Sequence, residues 1–206
     1  MKRLALCLLL LSLPLSAQAG PEDGVAHLLA GANHFRAGRF AQALVEFRVA
    51  ERSGAGGEAM WYVAACLVKL GRVEEALEVF DRAQTAAPEA RDALLTYYQA
   101  LGCHEARLYL CADSLLAEVG QAGGPQISAQ AAAMRADIAR VLAVEPSRTS
   151  IDWYLARAAE AQAAGREVLA RLYRSEAAGL AARRADRYRE NETRVLSVAV
   201  GAGSAP

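Results

Sequence analysis

The chain has 206 residues, 47 of them alanine, and 54% of its residues are hydrophobic. Charged residues make up 22%, so the composition excludes a disordered chain and fits one compact domain or a short repeat array. Lys and Arg together number 23, as do Asp and Glu. This balance lacks the strong basic excess that is typical of a nucleic-acid-binding protein.

The first 19 residues have the pattern of a secretory signal peptide. Lys2 and Arg3 precede an apolar run over residues 4–13, and Ala17 and Ala19 form an Ala-x-Ala cleavage sequence. We expect cleavage after Ala19 and export from a bacterial cell, to the periplasm or the exterior. The alternative is an uncleaved anchor, although ten helical residues rise only about 15 Å in a bilayer core of about 30 Å. No later segment has 18 apolar residues without a charge, so no stable membrane span is expected after cleavage.

A repeat is visible when residues 31–50 are aligned with residues 64–83, at an offset of 33. Seven of the twenty pairs are identical: Ala32/Ala65, Gly38/Gly71, Arg39/Arg72, Ala43/Ala76, Leu44/Leu77, Phe47/Phe80 and Ala50/Ala83. The paired glycines are predicted to end a first helix in the left-handed conformation. The paired alanines lie seven residues apart on one face of a second helix, where small side chains allow close helix contacts.

This pattern resembles the tetratricopeptide repeat (TPR) family, whose unit is a helix–turn–helix of 34 residues. The family's Trp early in the first helix is missing at its register, where His27 and Met60 stand, although Trp61 is adjacent. The resemblance implies an all-α fold in which helical hairpins stack as a short α-solenoid. It also implies a protein or peptide partner on the concave side, which the first helix of each repeat (helix A) lines.

Residues 20–119 are predicted to hold two clear repeats and a degraded third one. In the third, residues 92–101 form the first helix, Gly102 the turn and residues 105–119 the second helix. Ala106 and Leu110 take the places of the first Ala and the aromatic residue.

Residues 120–150 are predicted to be a linker and a single helix, which runs over 127–144 and ends at Pro146. Residues 151–185 form a further TPR-like hairpin, with Ser150 as N-cap and Gly165 at the turn. Residues 186–206 are predicted to be a tail, in which 194–200 could form a strand.

The sequence shows no pattern of a catalytic, metal or cofactor site. It contains no Gly-x-Ser-x-Gly motif and no glycine-rich phosphate loop, and its histidines lack a second pair of metal ligands. We therefore expect no enzyme activity and no cofactor. Cys103 and Cys111 could form a disulfide if Cys103 lies in the turn, but they could equally be free. Cys66 is expected to be a small core residue.

The family's register predicts which positions of helix A face a partner. Mapped onto this chain, the partner-binding residues are Leu28, Phe35, Arg36, Trp61, Val68, Lys69, Arg91 and Tyr98. They are mostly apolar or aromatic with a few positive charges, which favours an apolar or amphipathic partner segment over a free C-terminus. Trp61 could instead belong to the core. A second interpretation of the whole chain is a structural helical subunit of a larger envelope complex, without a free groove. The oligomeric state stays open.

Overall fold

The computed structural model describes residues 21–144 and 147–202, which form nine α-helices and one short 3-10 helix, with no strand in those ranges. The predicted signal peptide lies outside the described residues. The helices are α1 (Pro21–Arg36), α2 (Phe40–Arg52), α3 (Gly56–Lys69), α4 (Val73–Ala86), the 3-10 helix Pro88–Ala90, α5 (Ala93–Glu105), α6 (Tyr109–Ala122), α7 (Pro125–Ala143), α8 (Arg148–Ala163) and α9 (Glu167–Ala202). Each helix from α1 to α6 packs against the next one, and α8 packs against α9. The predicted all-α arrangement of hairpins as a short α-solenoid is confirmed.

Four hairpin turns share one pattern of hydrogen bonds. Their central residues Gly38, Gly71, Arg107 and Gly165 all have φ between 62° and 74°. In each turn, this residue donates its N–H to the carbonyl three residues earlier, and the next residue donates to the carbonyl five residues earlier, at 2.8–3.0 Å. These bonds satisfy the last carbonyls of the first helix. Glycine suits the position because a Cβ is strained at positive φ, so the prediction for the three glycines is confirmed.

The helix after each turn buries an alanine at the same distance from the turn. The residue five positions beyond the left-handed residue is Ala43, Ala76, Ala112 or Ala170, and all four are fully buried. A large buried side chain follows them: Phe47, Phe80, Leu116 or Tyr173. The alanines let the two helices of a hairpin approach closely, and the large side chains fill the space beside them.

The third repeat differs from its prediction in register. Its turn lies at Arg107 and not at Gly102, so the turn follows that of the second repeat by 36 residues and not by about 30. Gly102 lies within α5, where a Cβ would be only 3.2 Å from Val68 Cγ2. This glycine therefore serves close helix packing, and Ala112 and Leu116 take the places predicted for Ala106 and Leu110.

The C-terminal part of the chain is more helical than predicted. Helix α8 begins three residues early, because the Ser147 hydroxyl accepts a hydrogen bond from the Ser150 N–H and makes Ser147 the N-cap. Helix α9 continues to Ala202, so the predicted tail from residue 186 is helical as far as it is described, and the strand over 194–200 is wrong. No proline or glycine interrupts residues 180–200, and nothing there stops the helix.

The hairpin of α8 and α9 packs back against the second helices of the two preceding repeats. Helix α9 contacts both α4 and α6. Glu74 on α4 pairs with Arg157 of α8 at 3.0 Å and with Arg166 at the start of α9. Farther along, Arg187 donates to the carbonyls of the last turn of α7, at 3.0 Å. These contacts join the C-terminal hairpin to the repeat array.

Glu176 is a buried carboxylate at the centre of this junction. It is 3% exposed and accepts hydrogen bonds from the N–H groups of Leu110 (2.7 Å) and Cys111 (3.3 Å). These groups belong to the first turn of α6, whose free N–H donors and positive dipole end favour a negative charge. Nearby, the Tyr154 hydroxyl of α8 donates to the Arg107 carbonyl at 2.6 Å. Helices α8 and α9 thus both bind the turn of the third repeat.

Larger side chains at the buried alanines should destabilise the hairpins. Replacing Ala43, Ala76 or Ala112 with leucine should lower the free energy of unfolding by roughly 1–3 kcal/mol, since all three alanines are fully buried. Ala41→Leu, at an exposed position of the same helix as Ala43, is the control and should have little effect. Urea denaturation of the four variants measures this. Equal losses in all four would reject the register.

The junction should also respond to pH. Burial raises the pKa of the Glu176 carboxyl above 4.5, and the backbone N–H groups of α6 only partly oppose this. The folded protein therefore holds this proton more tightly than the unfolded chain does. The Glu176 contribution to the free energy of unfolding must fall as pH rises from about 4.5 through the folded pKa.

Urea titrations of the wild type and Glu176→Gln at several pH values between about 4 and 7 test this effect. We expect the stability of the wild type relative to the variant to decrease as pH rises. Glu89→Gln, at an exposed site of the 3-10 helix, is the matched control. A difference that stays constant, or that moves in favour of the wild type as pH rises, contradicts the expectation.

Candidate functional site

Three aromatic side chains bring one side of α1, α3 and α5 together. The Phe35 ring of α1 lies 6.0 Å from the Tyr62 ring of α3 and 5.3 Å from the Tyr98 ring of α5, in edge-to-face arrangements. Phe35 is 8% exposed, whereas both tyrosines are half-buried. We call this surface, with the exposed side chains of Arg36 and Lys69, the helix-A face.

Charges of both signs lie around the aromatic residues of the helix-A face. Lys69 Nζ lies 5.4 Å from the centroid of the Phe40 ring, within the range of a cation–π contact. Burial raises the pKa of Tyr62, as do the charges of Asp92 and Glu58, and the charge of Arg36 opposes the rise. Burial also raises the pKa of Tyr98. Both hydroxyls are therefore protonated at neutral pH and can donate hydrogen bonds to a partner.

Three of the eight predicted partner-binding residues lie in the core, so their prediction is corrected. Phe35 is 8% exposed and belongs to the core of the first two repeats. Trp61 is fully buried, its ring is 5.8 Å from that of Phe80, and its Nε1–H donates to the Ala87 carbonyl at 2.8 Å. Val68 is 2% exposed. The reason for Trp61 and Val68 is the central position of α3, which contacts α2, α4 and α5 and buries most of its surface.

The other five predicted residues have different environments. Arg36 and Lys69 are exposed, and Tyr98 is half-buried beside Phe35 on the helix-A face. Leu28 is half-buried against the core of the first two repeats. Arg91 pairs with Glu118 of α6 at 2.6 Å, which ties it to the neighbouring helix.

Tyr62 and Phe40 were not predicted as members of this face. Tyr62 stacks on Phe47 with the ring centroids 4.9 Å apart, and Phe40 packs edge-to-face on Phe35 at 5.3 Å. Tyr62 follows directly after Trp61, so a register shifted by one residue would have selected it. Phe40 follows the first turn, outside helix A, and had no signal in the family's register.

The cysteines and histidines form contacts within the fold. Cys103 and Cys111 are joined by a disulfide, with Cα atoms 6.1 Å apart. The pair spans the turn at Arg107, so Cys103 lies in the last part of α5 and not in the turn itself. Cys66 is a buried free thiol, and burial raises its pKa to about 12. His27 Nδ1 lies 2.7 Å from a Glu46 carboxylate oxygen.

The described residues contain neither a candidate metal site nor a candidate membrane span. Among the described residues, no three His, Cys, Asp or Glu side chains are grouped so that they could hold a metal ion. Within the same part of the chain, no helix combines the length and apolar character needed to cross a membrane. No family model matches the sequence, and comparisons with curated proteins and with solved structures find no match either.

The core position of Trp61 can be tested by stability. Trp61→Ala should lower the free energy of unfolding by about 3–5 kcal/mol, because it leaves a large cavity. Trp61→Phe should cost less, about 1–3 kcal/mol, mainly because the buried Ala87 carbonyl loses its donor. Trp153→Ala is the matched control, since that side chain is 39% exposed. A loss for Trp61→Ala no larger than that of the control would place Trp61 outside the core.

Proposed function

We propose that the protein is a non-enzymatic scaffold that binds an apolar or amphipathic segment of a partner protein on the helix-A face. In this proposal it acts in the periplasm or outside a bacterial cell, as its TPR-like hairpins and signal-peptide pattern suggest. It needs no cofactor and has no nucleic-acid partner. The observation that carries the proposal is the half-buried pair Tyr62 and Tyr98 around Phe35, in a cluster where the exposed Arg36 acts on Tyr62 and the exposed Lys69 contacts Phe40.

Aromatic side chains with a protonated hydroxyl are favourable contacts for a partner segment. They supply apolar area with little loss of conformational entropy, and their hydroxyls can pair with a partner's backbone. Arg36 and Lys69 would attract acidic residues on the polar side of the same segment. An amphipathic helix with acidic residues beside its apolar stripe therefore fits the face better than a purely apolar strand.

One observation favours the alternative of a structural subunit. Val25 and Leu29 are more than half exposed and lie four residues apart on α1, so they form an apolar strip at the N-terminal end of the array. A neighbouring subunit could cover this strip. The two proposals differ in which surface touches the partner.

Site-specific photo-crosslinking in the native host tests the proposal and the alternative together. A photoreactive amino acid is introduced at Tyr98 on the helix-A face, at Leu29 on the N-terminal strip, or at Leu155, an exposed control site on α8. We expect a discrete adduct from position 98 only. It should decrease at least about tenfold when Arg36→Glu and Lys69→Glu reverse the bordering charges.

Variant Arg52→Glu, at an exposed position of α2, is the control for charge reversal and should leave the adduct unchanged. Adducts from position 29 with one stoichiometric partner would favour the structural subunit. Equal labelling at positions 98 and 155, or an adduct that resists charge reversal, would reject the helix-A face as the binding surface.

A further inference from the structure

The turn of the third repeat contains an arginine where the three related turns contain glycine. Arg107 has a φ of 62°, and it is the only residue other than glycine with a positive φ among the described residues. Glycine would adopt this conformation without strain. The side chain of Arg107 is exposed, so core packing does not explain its presence.

The Arg107 side chain lines a cleft formed by the start of α4, the turn of the third repeat and the C-terminal hairpin. The cleft has a volume of about 390 Å³ and is lined by Val73, Glu74, Glu105, Arg107, Trp153 and Tyr173, among others. This volume lies in the range of small-molecule and peptide-end pockets. The Arg107 guanidinium lies 5.9 Å from the Trp153 ring centroid, which fixes it by a cation–π contact.

Trp153 is the aromatic side chain of the cleft that is open to solvent. It is 39% exposed, although it is one of only two tryptophans in the chain. Its ring is perpendicular to that of Tyr173, with the centroids 6.1 Å apart. Tyr173 is only 3% exposed and supports Trp153 from the core side. An apolar group of a ligand could pack against the exposed part of the Trp153 ring.

The charges in the cleft leave Arg107 available for an anion. The second arginine that lines it, Arg157, already pairs with Glu74 at 3.0 Å and with Glu160 at 2.6 Å. Among the described residues, Arg107 has no ion pair, and its planar guanidinium can bind a carboxylate through two parallel hydrogen bonds. Glu105 also lines the cleft and can accept a hydrogen bond from a ligand N–H.

We propose that this cleft binds a carboxylate attached to an aromatic or apolar group, with the carboxylate on Arg107 and the apolar group against the exposed part of Trp153. Such a carboxylate occurs at the end of a peptide and in free small acids. This site is separate from the helix-A face, so it does not depend on the function proposed above. It also gives a reason for Arg107, since glycine in this turn would have no group to bind the anion.

Binding can be measured with three probes on the full-length protein. N-acetyl-phenylalanine mimics a peptide end, N-acetyl-phenylalanine amide lacks its carboxylate, and phenylacetate lacks its amide. Titration calorimetry gives the affinities. Acrylamide quenching follows Trp153, because Trp61 is fully buried.

We expect N-acetyl-phenylalanine to bind at least about tenfold more tightly than its amide and to protect Trp153 from quenching. Tighter binding of N-acetyl-phenylalanine than of phenylacetate would indicate a peptide end as the ligand. Equal binding of the two acids would indicate a free small acid. Equal binding of the acid and its amide would overturn the proposal, as would the absence of saturable binding up to about 10 mM.

Variants at Arg107 separate binding from folding. Arg107→Gly should lower the affinity for N-acetyl-phenylalanine at least about tenfold while the melting temperature stays the same or rises, because glycine relieves the strained φ. Arg107→Gln keeps the strain and should lose the same affinity. Arg39→Gln removes a charge from the first turn and is the matched control. Unchanged affinity in Arg107→Gly would show that Arg107 does not bind the carboxylate.

Discussion

The left-handed residue at each hairpin turn is the constraint on which the rest of the fold depends. A chain that reverses after one helix of about four turns must satisfy the last carbonyls of that helix. Here the backbone does so with the same two hydrogen bonds in all four hairpins. Once that turn is fixed, the second helix starts in a fixed rotation, and the fifth residue beyond the turn always faces the first helix. Alanine at that position lets the two helices approach closely enough for the large side chains one turn later to be buried.

The stacking of these hairpins decides which side chains remain available to a partner. Helix α3 lies between α2, α4 and α5, so both Trp61 and Val68 are enclosed even though they lie on the helix that lines the proposed face. The Trp61 indole N–H also donates a hydrogen bond to the carbonyl of Ala87, the residue between α4 and the 3-10 helix. This bond holds the start of the 3-10 helix against α3. Only side chains at the margin of the aromatic cluster, such as Tyr98 and Lys69, retain exposed surface. The helix-A face is therefore a narrow strip and not a full groove.

Local sequence patterns predicted the parts of the fold that local interactions determine. Gly38, Gly71 and Gly165 marked three turns correctly, because glycine is the residue that a positive φ favours. The fourth turn was missed, because Arg107 breaks that rule and Gly102 gave a false signal five residues earlier.

The burial of Trp61 depends on helices that pack around it from elsewhere in the chain. The role of Glu176 could not be predicted either, since the N–H groups that donate hydrogen bonds to it lie 65 and 66 residues away in sequence. The candidate site was predicted only in part, because it too depends on contacts between distant segments. Arg36 and Lys69 are exposed as expected. Tyr62 belongs to the site because its ring packs against Phe35 of α1, and the sequence pattern did not show this contact.

The C-terminal hairpin packs back onto the row of repeats. A simple stack would leave the second helices of the repeats covered only by their neighbours, whereas α9 packs across α4 and α6. Much of this contact is polar: Glu74 binds two arginines, Glu176 binds the start of α6, and Tyr154 binds the Arg107 carbonyl. Exposed ion pairs contribute little stability, but the buried carboxylate and hydroxyl need one specific arrangement to satisfy their hydrogen bonds. They consequently fix the position of the third turn against α8, and with it the distance between Arg107 and Trp153. The cleft that these two residues line depends on the position of the turn, while the helix-A face depends on α1, α3 and α5. A substitution on one surface would therefore alter the binding proposed there without disturbing the other surface, as long as α5, which contributes to both, keeps its place.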